Sequence, residues 1–380
     1  MFSRRSFLAN IGIAALASWL SGCSSSQAAL NIVLLENSIP PQLLRSFRQQ
    51  SQGLSFKPRA GLEELFAVLQ SLQQQETDSI FSSLRRLNPD LVTTGHYWLS
   101  QAIAEQLLEP LDPESLDQWS LLPPRWQALV RRDVQGQLAP NGAVWGAPYR
   151  WGSTMIAYRR DKLRELGWTP QRWSDLWRAE LQNRISLLEQ PREVIGLTLK
   201  KLGYSYNTTD LSKIANLTSE LLALQQQVKF YSSDSYLQPL ILGDTWLAVG
   251  WSTDIIPITK RYSTIEAVVP QPGTSLWADL WVKPKQMESS SASSEVDRTT
   301  QWIDFCWLPQ SASQISLFTT AASPIILSLP RETLPLDIRN NALILPEQQL
   351  LDNSEFILPL PPDVEQQYQD LWREIRTATS

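Results

Sequence analysis

At two predicted strand ends, a tryptophan stands two or three positions before an aspartate. Trp251 and Asp254 form one pair, and Trp277 and Asp279 form the other. An indole face attracts alkylammonium groups, a contact worth about 0.5 to 2 kcal/mol. A carboxylate binds the same groups, and loss of one member of a buried charged pair costs about 2 to 5 kcal/mol. Together the pairs predict a site for a small amine, whereas each pair alone is also typical of a core tryptophan beside a helix cap.

The elements that position these pairs follow an α/β pattern, because short apolar runs alternate with helical periodicity from residue 30 onwards. Strands are predicted at 31–35, 54–57 and 90–94, and helices at 43–50, 62–74 and 98–107. This order predicts a parallel sheet, whose sites lie at the carboxyl ends of the strands. Tyr97 follows the third strand directly and is therefore a candidate site residue.

A second α/β pattern follows an extended segment at residues 147–158, which could carry the backbone from one lobe to another. Its strands are predicted at 185–188 and 246–250, and its helices at 192–202, 211–227, 300–306 and 364–377. Residues 286–295 are rich in serine and predict a solvated loop. The mature length of about 350 residues exceeds what one core usually holds, so two lobes are expected.

Several kinds of catalytic chemistry lack the residues that they need. The chain has a single histidine, His96, and only two cysteines, so a zinc site or a histidine-based triad is not expected. No glycine-rich dinucleotide fingerprint, phosphate-binding loop or nucleophile elbow occurs. No spacing singles out a carboxylate pair for glycoside hydrolysis. We therefore expect no enzyme, no metal and no organic cofactor.

The first residues have the organisation of an export signal. A charged start with Arg4 and Arg5 precedes an apolar run at 11–20, which is too short to span a bilayer. The run ends in Leu-Ser-Gly-Cys23, which resembles a lipoprotein cleavage box, so residues 1–22 are predicted as a signal peptide and Cys23 as the lipidated residue. Residues 23–29 would form the tether. An ordinary signal peptide or an uncleaved anchor stays an alternative, as does export by the twin-arginine route.

Charge and cysteine content limit the partners. The net charge of −5 becomes −7 when the two arginines of the signal peptide are removed, which argues against nucleic acid and mildly favours a cationic partner. If Cys23 carries lipid, Cys306 is left without a partner for an intramolecular disulfide. Cys306 stands in an apolar helical stretch and is predicted to be a buried packing residue.

Five segments resemble the spermidine/putrescine-binding proteins of polyamine ABC importers. The most specific is Arg192-Glu193-Val194 with the following segment 199–210, and the others are 148–154, 173–177, 249–254 and 277–279, in the order and spacing of that family. The resemblance covers roughly residues 30 to 330. It implies a periplasmic-binding-protein fold of two lobes with a hinge and an interlobe ligand cleft. The corresponding lobes are residues 30–152 plus 279–322 and residues 153–278 plus 323–377.

The resemblance also implies roles for six residues. Trp251 and Trp277 would flank the aliphatic chain of the ligand, and Glu193 and Asp279 would hold its amino groups. Asp254 matches an acid of the putrescine-preferring branch, and Tyr97 matches a tyrosine of the cleft wall. The implied function is a monomeric, lipid-anchored solute-binding component that gives a polyamine to an ABC permease, in the periplasm or on the outer face of the cytoplasmic membrane.

The chain departs from the family pattern at four places. Aromatic residues are missing after the first strand, at 35–39, a serine appears as Gly95, and an acid appears as Gln190. A late glutamine contact is lost near Ile357. A shorter diamine or another amino-bearing solute is therefore as consistent as spermidine. The alternatives are the same fold with a different small solute, or a lipoprotein with a scaffold or sensory role and no transport.

Overall fold

The computed structural model describes residues 30–51, 53–73, 84, 87–285 and 298–378. The predicted signal peptide, Cys23 and the serine-rich loop lie outside the described residues. The strands are β1 (Leu30–Leu35), β2 (Leu54–Arg59), β3 (Leu91–Gly95), β4 (Leu108–Glu109), β5 (Arg131–Arg132), β6 (Ala143–Val144), β7 (Ala147–Arg159), β8 (Ile185–Leu187), β9 (Val228–Tyr231), β10 (Leu247–Trp251), β11 (Ile265–Val268), β12 (Ser275–Pro284) and β13 (Glu355–Phe356). The helices are α1 (Pro41–Gln50), α2 (Leu62–Ser71), α3 (Leu99–Ala104), α4 (Pro124–Val130), α5 (Arg160–Leu166), α6 (Pro191–Lys201), α7 (Leu217–Gln225), α8 (Gln238–Leu242), α9 (Ser252–Arg261), α10 (Arg298–Trp307), α11 (Pro309–Phe318), α12 (Leu336–Arg339), α13 (Gln348–Asp352) and α14 (Pro362–Thr377).

The predicted parallel beginning of the sheet is confirmed. β1 pairs in parallel with β2, with Leu30 opposite Leu54, and with β3, with Ile32 opposite Leu91. Helices α1 and α2 connect these strands, as parallel pairing requires a crossover between neighbours. The carboxyl end of β3 leads into a short 3-10 turn at His96–Trp98, so Tyr97 is placed just past a strand, as predicted.

Strand β7 connects the two halves of the fold. Its 13 residues are buried except the last, Arg159. Its first part pairs with β12 and its second part with β10, both antiparallel. The main sheet path is β2-β1-β3-β12-β7-β10-β8-β9. One continuous strand therefore holds β12 and β10 in a fixed register, and both carry predicted site residues.

Two large cores lie along this sheet. The first core contains buried residues mostly from 30–151, 276–282 and 302–356, including Cys306, which confirms its predicted burial. The second core contains buried residues from 156–249 and 357–375. Residues 325–356 pack in the first core, although the sequence-based boundaries assign 323–377 to the second lobe. The division into lobes stays a prediction. The packing favours a passage of the chain from the first lobe to the second near residue 357.

The C-terminal helix closes the second core. Val364, Tyr368, Trp372 and Ile375 of α14 are buried, at the spacing of one helical face. With 16 residues this helix is shorter than the about 20 apolar residues of a transmembrane span. Within the described parts of the chain, no helix is long and apolar enough to cross a membrane.

One predicted helix is wrong in its extent. Residues 211–227 were expected to form a single helix, but a 3-10 turn at Leu211–Lys213 precedes α7 (Leu217–Gln225). Asn216 separates them with φ +64°, a left-handed conformation that an α-helix does not tolerate. Asparagine adopts this conformation more readily than most residues, which explains why the break in the helix can occur at Asn216.

Candidate functional site

One face of the sheet collects polar and aromatic side chains where β7 meets β12 and β10. Asp279 lies opposite Arg150, Trp277 opposite Gly152, and Trp251 opposite Thr154. Directly opposed residues of antiparallel strands project to the same face. Alternation along the strands therefore places seven residues on this face: Arg150, Gly152, Thr154, Trp251, Ser275, Trp277 and Asp279.

Glu193 lies in the first turn of α6 and contacts three strands of this face. Its Oε1 accepts hydrogen bonds from Thr154 Oγ1 at 3.0 Å and from Trp251 Nε1 at 3.3 Å, and its Oε2 accepts from Ser275 Oγ at 2.7 Å. Burial raises the pKa of Glu193, and the three hydrogen bonds, led by that from Ser275, oppose this rise. A carboxylate has about four lone-pair sites, so Oε2 keeps the capacity to accept one more donor. Glu193 is only 8% exposed, so such a donor would be almost fully desolvated.

Asp254 is positioned by a tyrosine that the sequence analysis did not include. Tyr236 donates its hydroxyl to Asp254 Oδ2 at 2.8 Å, and the same hydroxyl accepts the backbone N–H of Trp251 at 3.1 Å. Asp254 stays exposed to solvent, while the protein around its carboxylate partly desolvates it and raises its pKa. The Tyr236 hydroxyl therefore fixes both the acid and the backbone of the indole that precedes it.

Asp279 already has a cationic partner inside the protein. Arg150 donates Nε–H to Asp279 Oδ2 at 2.6 Å, and the two residues are 6% and 2% exposed. Burial opposes charge on Arg150, but the Asp279 carboxylate outweighs this effect and raises the pKa of Arg150. Burial raises the pKa of Asp279, and the charge and hydrogen bond of Arg150 oppose that rise. The predicted contact of Asp279 with a ligand amine stays a prediction, and Arg150 is a cation that would compete for the same carboxylate.

Trp277 lies between Ser275 and Asp279 along β12, and its indole needs the space left by Gly152 on the neighbouring strand β7. A Cβ atom at position 152 would lie 2.3 Å from Trp277 Cζ2 and 2.1 Å from Ser252 Oγ, so only glycine leaves room for the indole. The Arg150 guanidinium carbon lies 5.8 Å from the Trp277 ring centroid, within cation–π range. Trp277 Nε1 is buried and has no acceptor among the described residues.

Tyr97 and His96 have different roles at the end of β3. His96 accepts the backbone N–H of Ala278 at Nδ1, at 3.2 Å, and its Nε2 lies 2.9 Å from the carbonyl oxygen of Ile357. Because a backbone N–H can only donate, the proton of this histidine is on Nε2. Tyr97 packs against the second core although it follows a strand of the first, so it lies where the cores meet. Burial, followed by the charge of Glu365, raises the pKa of Tyr97.

The predicted site residues differ in how directly they are linked to one another. Glu193 and Trp251 are hydrogen-bonded directly, Asp254 is linked to Trp251 through Tyr236, and Ser275 links Glu193 to the strand of Trp277 and Asp279. Tyr97 stands two residues after Gly95, which pairs with Asp279, and its hydroxyl is influenced by the charges of Glu365 and Arg192. Within the described parts of the chain, no group of three or more histidine, cysteine or acidic residues could hold a metal ion.

Comparison with known proteins identifies the family of this arrangement. A model of bacterial extracellular solute-binding proteins matches residues 88–353, which include all six predicted site residues. The chain belongs to this family. Solute binding is therefore its role, and the mixed α/β, two-lobed fold expected from the sequence is confirmed.

The relatives agree with the resemblance seen in the sequence motifs. The spermidine/putrescine-binding periplasmic protein of Escherichia coli strain K12 is 24% identical over 321 residues, which cover 84% of this chain and 83% of that protein. The putrescine/cadaverine-binding protein of Pseudomonas aeruginosa is 25% identical over 246 residues, covering 62% and 67%. The predicted similarity to spermidine/putrescine-binding proteins is confirmed.

Solved structures show the same fold. A spermidine/putrescine ABC transporter substrate-binding protein from Streptococcus pneumoniae superposes with a TM-score of 0.76 at 22% identity, covering 92% of this chain and 98% of that one. A lipoprotein of Treponema pallidum superposes with a TM-score of 0.67 at 18% identity, covering 91% and 99%. At these identities the likeness establishes the fold of the solute-binding protein and not its ligand.

Sequence reasoning missed the groups that hold the predicted residues. Arg150 lies within the segment 148–154, and alternation along residues 147–158 puts it on the same face as Gly152 and Thr154. This alternation with a period of two residues was the sequence signal that could have placed Arg150 in the site. Tyr236 and Ser275 carry no such signal, because their contacts depend on how distant segments come together.

Proposed function

We propose that this solute-binding protein captures a polyamine or a related amino-bearing solute between its lobes and delivers it to a membrane permease driven by an ATPase. The observation that carries the proposal is Glu193, a buried carboxylate with a free acceptor site on Oε2, next to the indole of Trp251. The names of the relatives, which bind spermidine, putrescine or cadaverine, point to the same chemistry.

The electrostatics of the Glu193 region favour an ammonium group. Asp254 contributes a second carboxylate close to Trp251, and neither acid has a lysine or arginine among the ion-pair partners recorded for the described residues. A buried acid and a partly desolvated acid, neither with a paired cation, attract a cationic solute. The face of Trp251 would cover the methylene groups next to the ammonium.

Contacts from both halves would favour a closed form. Trp277 and Asp279 belong to a strand of the first core, whereas Glu193 and Trp251 belong to elements of the second. A ligand can shift a two-state equilibrium only by binding one state better than the other. A solute that spans these elements binds the closed state better, which would present a defined surface to the permease.

Export and anchoring complete the proposal. Cleavage before Cys23 and acylation of that residue would hold a monomeric protein on the outer face of the cytoplasmic membrane, close to its permease. The twin-arginine route would export it already folded. Mass spectrometry of the membrane-extracted protein would test the anchor, since the N-terminal peptide would begin at a diacylated or triacylated Cys23.

Titration calorimetry with putrescine, spermidine and other primary amines tests ligand binding. We expect saturable binding at micromolar or tighter affinity, weakened about tenfold or more by Glu193→Gln, since a hydrogen bond to a charged group is worth about 1.5 to 3 kcal/mol. Glu165→Gln is the matched control, because Glu165 is exposed on α5. Absence of saturable binding for every amine would contradict the proposal and favour a scaffold or sensory role.

A further inference from the structure

The two ends of the candidate site have opposite hydrogen-bonding character. At the Glu193 end, Glu193 and Asp254 are acceptors without a cationic partner among the described residues. At the other end, Arg150 already neutralises Asp279 through a 2.6 Å contact. An ammonium at Asp279 would have to displace the guanidinium and leave it buried without its carboxylate, which is strongly unfavourable.

Donors are in excess at the Arg150 end. The contact with Asp279 uses Nε–H and Tyr149 accepts a further hydrogen bond from Arg150, so a guanidinium with five N–H donors keeps donors on its Nη groups for another acceptor. The indole N–H of Trp277, the ring over which Arg150 lies, is buried without an acceptor among the described residues. A planar guanidinium with free Nη donors matches a carboxylate better than any other common ligand group.

Resting on the proposed function, we propose that the solute carries an ammonium group at one end and a carboxylate at the other, and that Arg150 binds the carboxylate. The ligand class is then an ω-amino acid with a short methylene chain rather than a diamine. Ser275, which donates to Glu193, and Asp279, which holds Arg150, are separated by four residues of one strand, a span of about 13 Å. Trp277 lies midway between them and covers the methylene groups.

Matched ligand pairs test this inference with the wild-type protein. Calorimetry would compare 4-aminobutanoate with putrescine and 5-aminopentanoate with cadaverine, which differ mainly in the terminal group. We expect each amino acid to bind about tenfold or more tightly than its diamine. Tighter binding of the diamines would overturn the inference and leave the proposed function intact. Failure of every amine, with or without a carboxylate, would overturn both.

Substitution of Arg150 tests the assigned residue. Arg150→Lys keeps the charge that pairs with Asp279 but loses the planar fork, and Arg150→Met loses both. The affinity ratio of amino acid to diamine should fall about tenfold in Arg150→Met and less in Arg150→Lys, and it should not change in the exposed control Arg45→Met. An unchanged ratio in a folded Arg150 variant would overturn the assignment. If Arg150→Met does not fold, the assignment is tested by the affinity ratio of amino acid to diamine in Arg150→Lys, compared with the ratio in the wild type.

Discussion

The indole N–H of Trp251 donates to Oε1 of Glu193 across 3.3 Å. The acid that is predicted to bind an ammonium group therefore also orients the aromatic face that is predicted to cover the neighbouring methylenes. Trp251 ends β10 and Glu193 lies in the first turn of α6, so this one hydrogen bond joins a strand end to a helix start. The orientation of the indole and the charge of the carboxylate are coupled, and a change in either should affect the other.

Substitution of Trp251 by phenylalanine should weaken solute binding about tenfold. The variant keeps an aromatic face but removes one of three donors to Glu193, and a hydrogen bond to a charged group is worth about 1.5 to 3 kcal/mol. Titration calorimetry with the tightest-binding amine measures the loss. Trp246→Phe is the control, because Trp246 lies on the same chain segment but contacts Arg184 instead. Equal affinities in both variants would show that the hydrogen bond does not position the ligand.

Replacement of Gly152 by alanine should displace Trp277 and destabilise the fold. The new methyl group would lie 2.1 Å from Ser252 Oγ and 2.3 Å from Trp277 Cζ2, so overpacking should lower the free energy of unfolding by about 1 to 3 kcal/mol. Urea unfolding measures this change. In the control Gly61→Ala, the added Cβ meets no atom within 4 Å. If Gly152→Ala unfolds at the same urea concentration as the wild type, the close packing of Trp277 on Gly152 is incorrect.

Local patterns were sufficient to predict the first part of the fold. The apolar runs at 31–35 and 90–94 are short and bounded by turn residues, and the structure forms parallel strands at Leu30–Leu35 and Leu91–Gly95. The helix predicted across 211–227 failed because its periodic leucines continue through Asn216, where the backbone turns left-handed. Hydrophobic periodicity does not reveal a single residue that leaves the helical conformation.

The partners of the site residues could not be predicted in the same way. Arg150 and Asp279 are 129 residues apart, and Glu193 and Ser275 are 82 residues apart. These contacts exist only in the observed register of β7 with β12, and a shift of one residue would turn Arg150 to the opposite face. Sequence motifs predicted which acids could bind an amine, but only the register shows that one of them is already paired.

Buried His96 should make the protein less stable as the pH falls from 6.5 to 4. Burial lowers the pKa of His96 to about 4, so between these values the unfolded chain binds a proton that the folded protein does not. The stability that His96 contributes is fully present above its unfolded pKa and is lost as the pH falls towards the folded value. The shift corresponds to about 3 kcal/mol.

The variant His96→Gln isolates this effect, since His96 is the only histidine of the sequence. Unfolding in urea would be followed from pH 7 to pH 4 for both proteins, and the difference between their free energies of unfolding would be plotted against pH. We expect the difference to shrink by about 3 kcal/mol across this range. A difference that stays constant would mean that His96 has the same pKa in the folded protein as in the unfolded chain.

Loss of the Tyr236 hydroxyl should make solute binding fail at a higher pH. Its hydrogen bond to Asp254 opposes the desolvation that raises the pKa of this acid, so Tyr236→Phe should raise that pKa further. An ammonium group binds ionised Asp254, and its affinity therefore falls as the pH drops through this pKa. Affinities measured between pH 7.5 and pH 5 should begin to fall at a higher pH in the variant than in the wild type. Tyr204→Phe is the control, because Tyr204 is 42% exposed. Superimposable profiles for Tyr236→Phe and the wild type would exclude Asp254 from the ligand contacts and leave Glu193 as the acid that binds the ammonium.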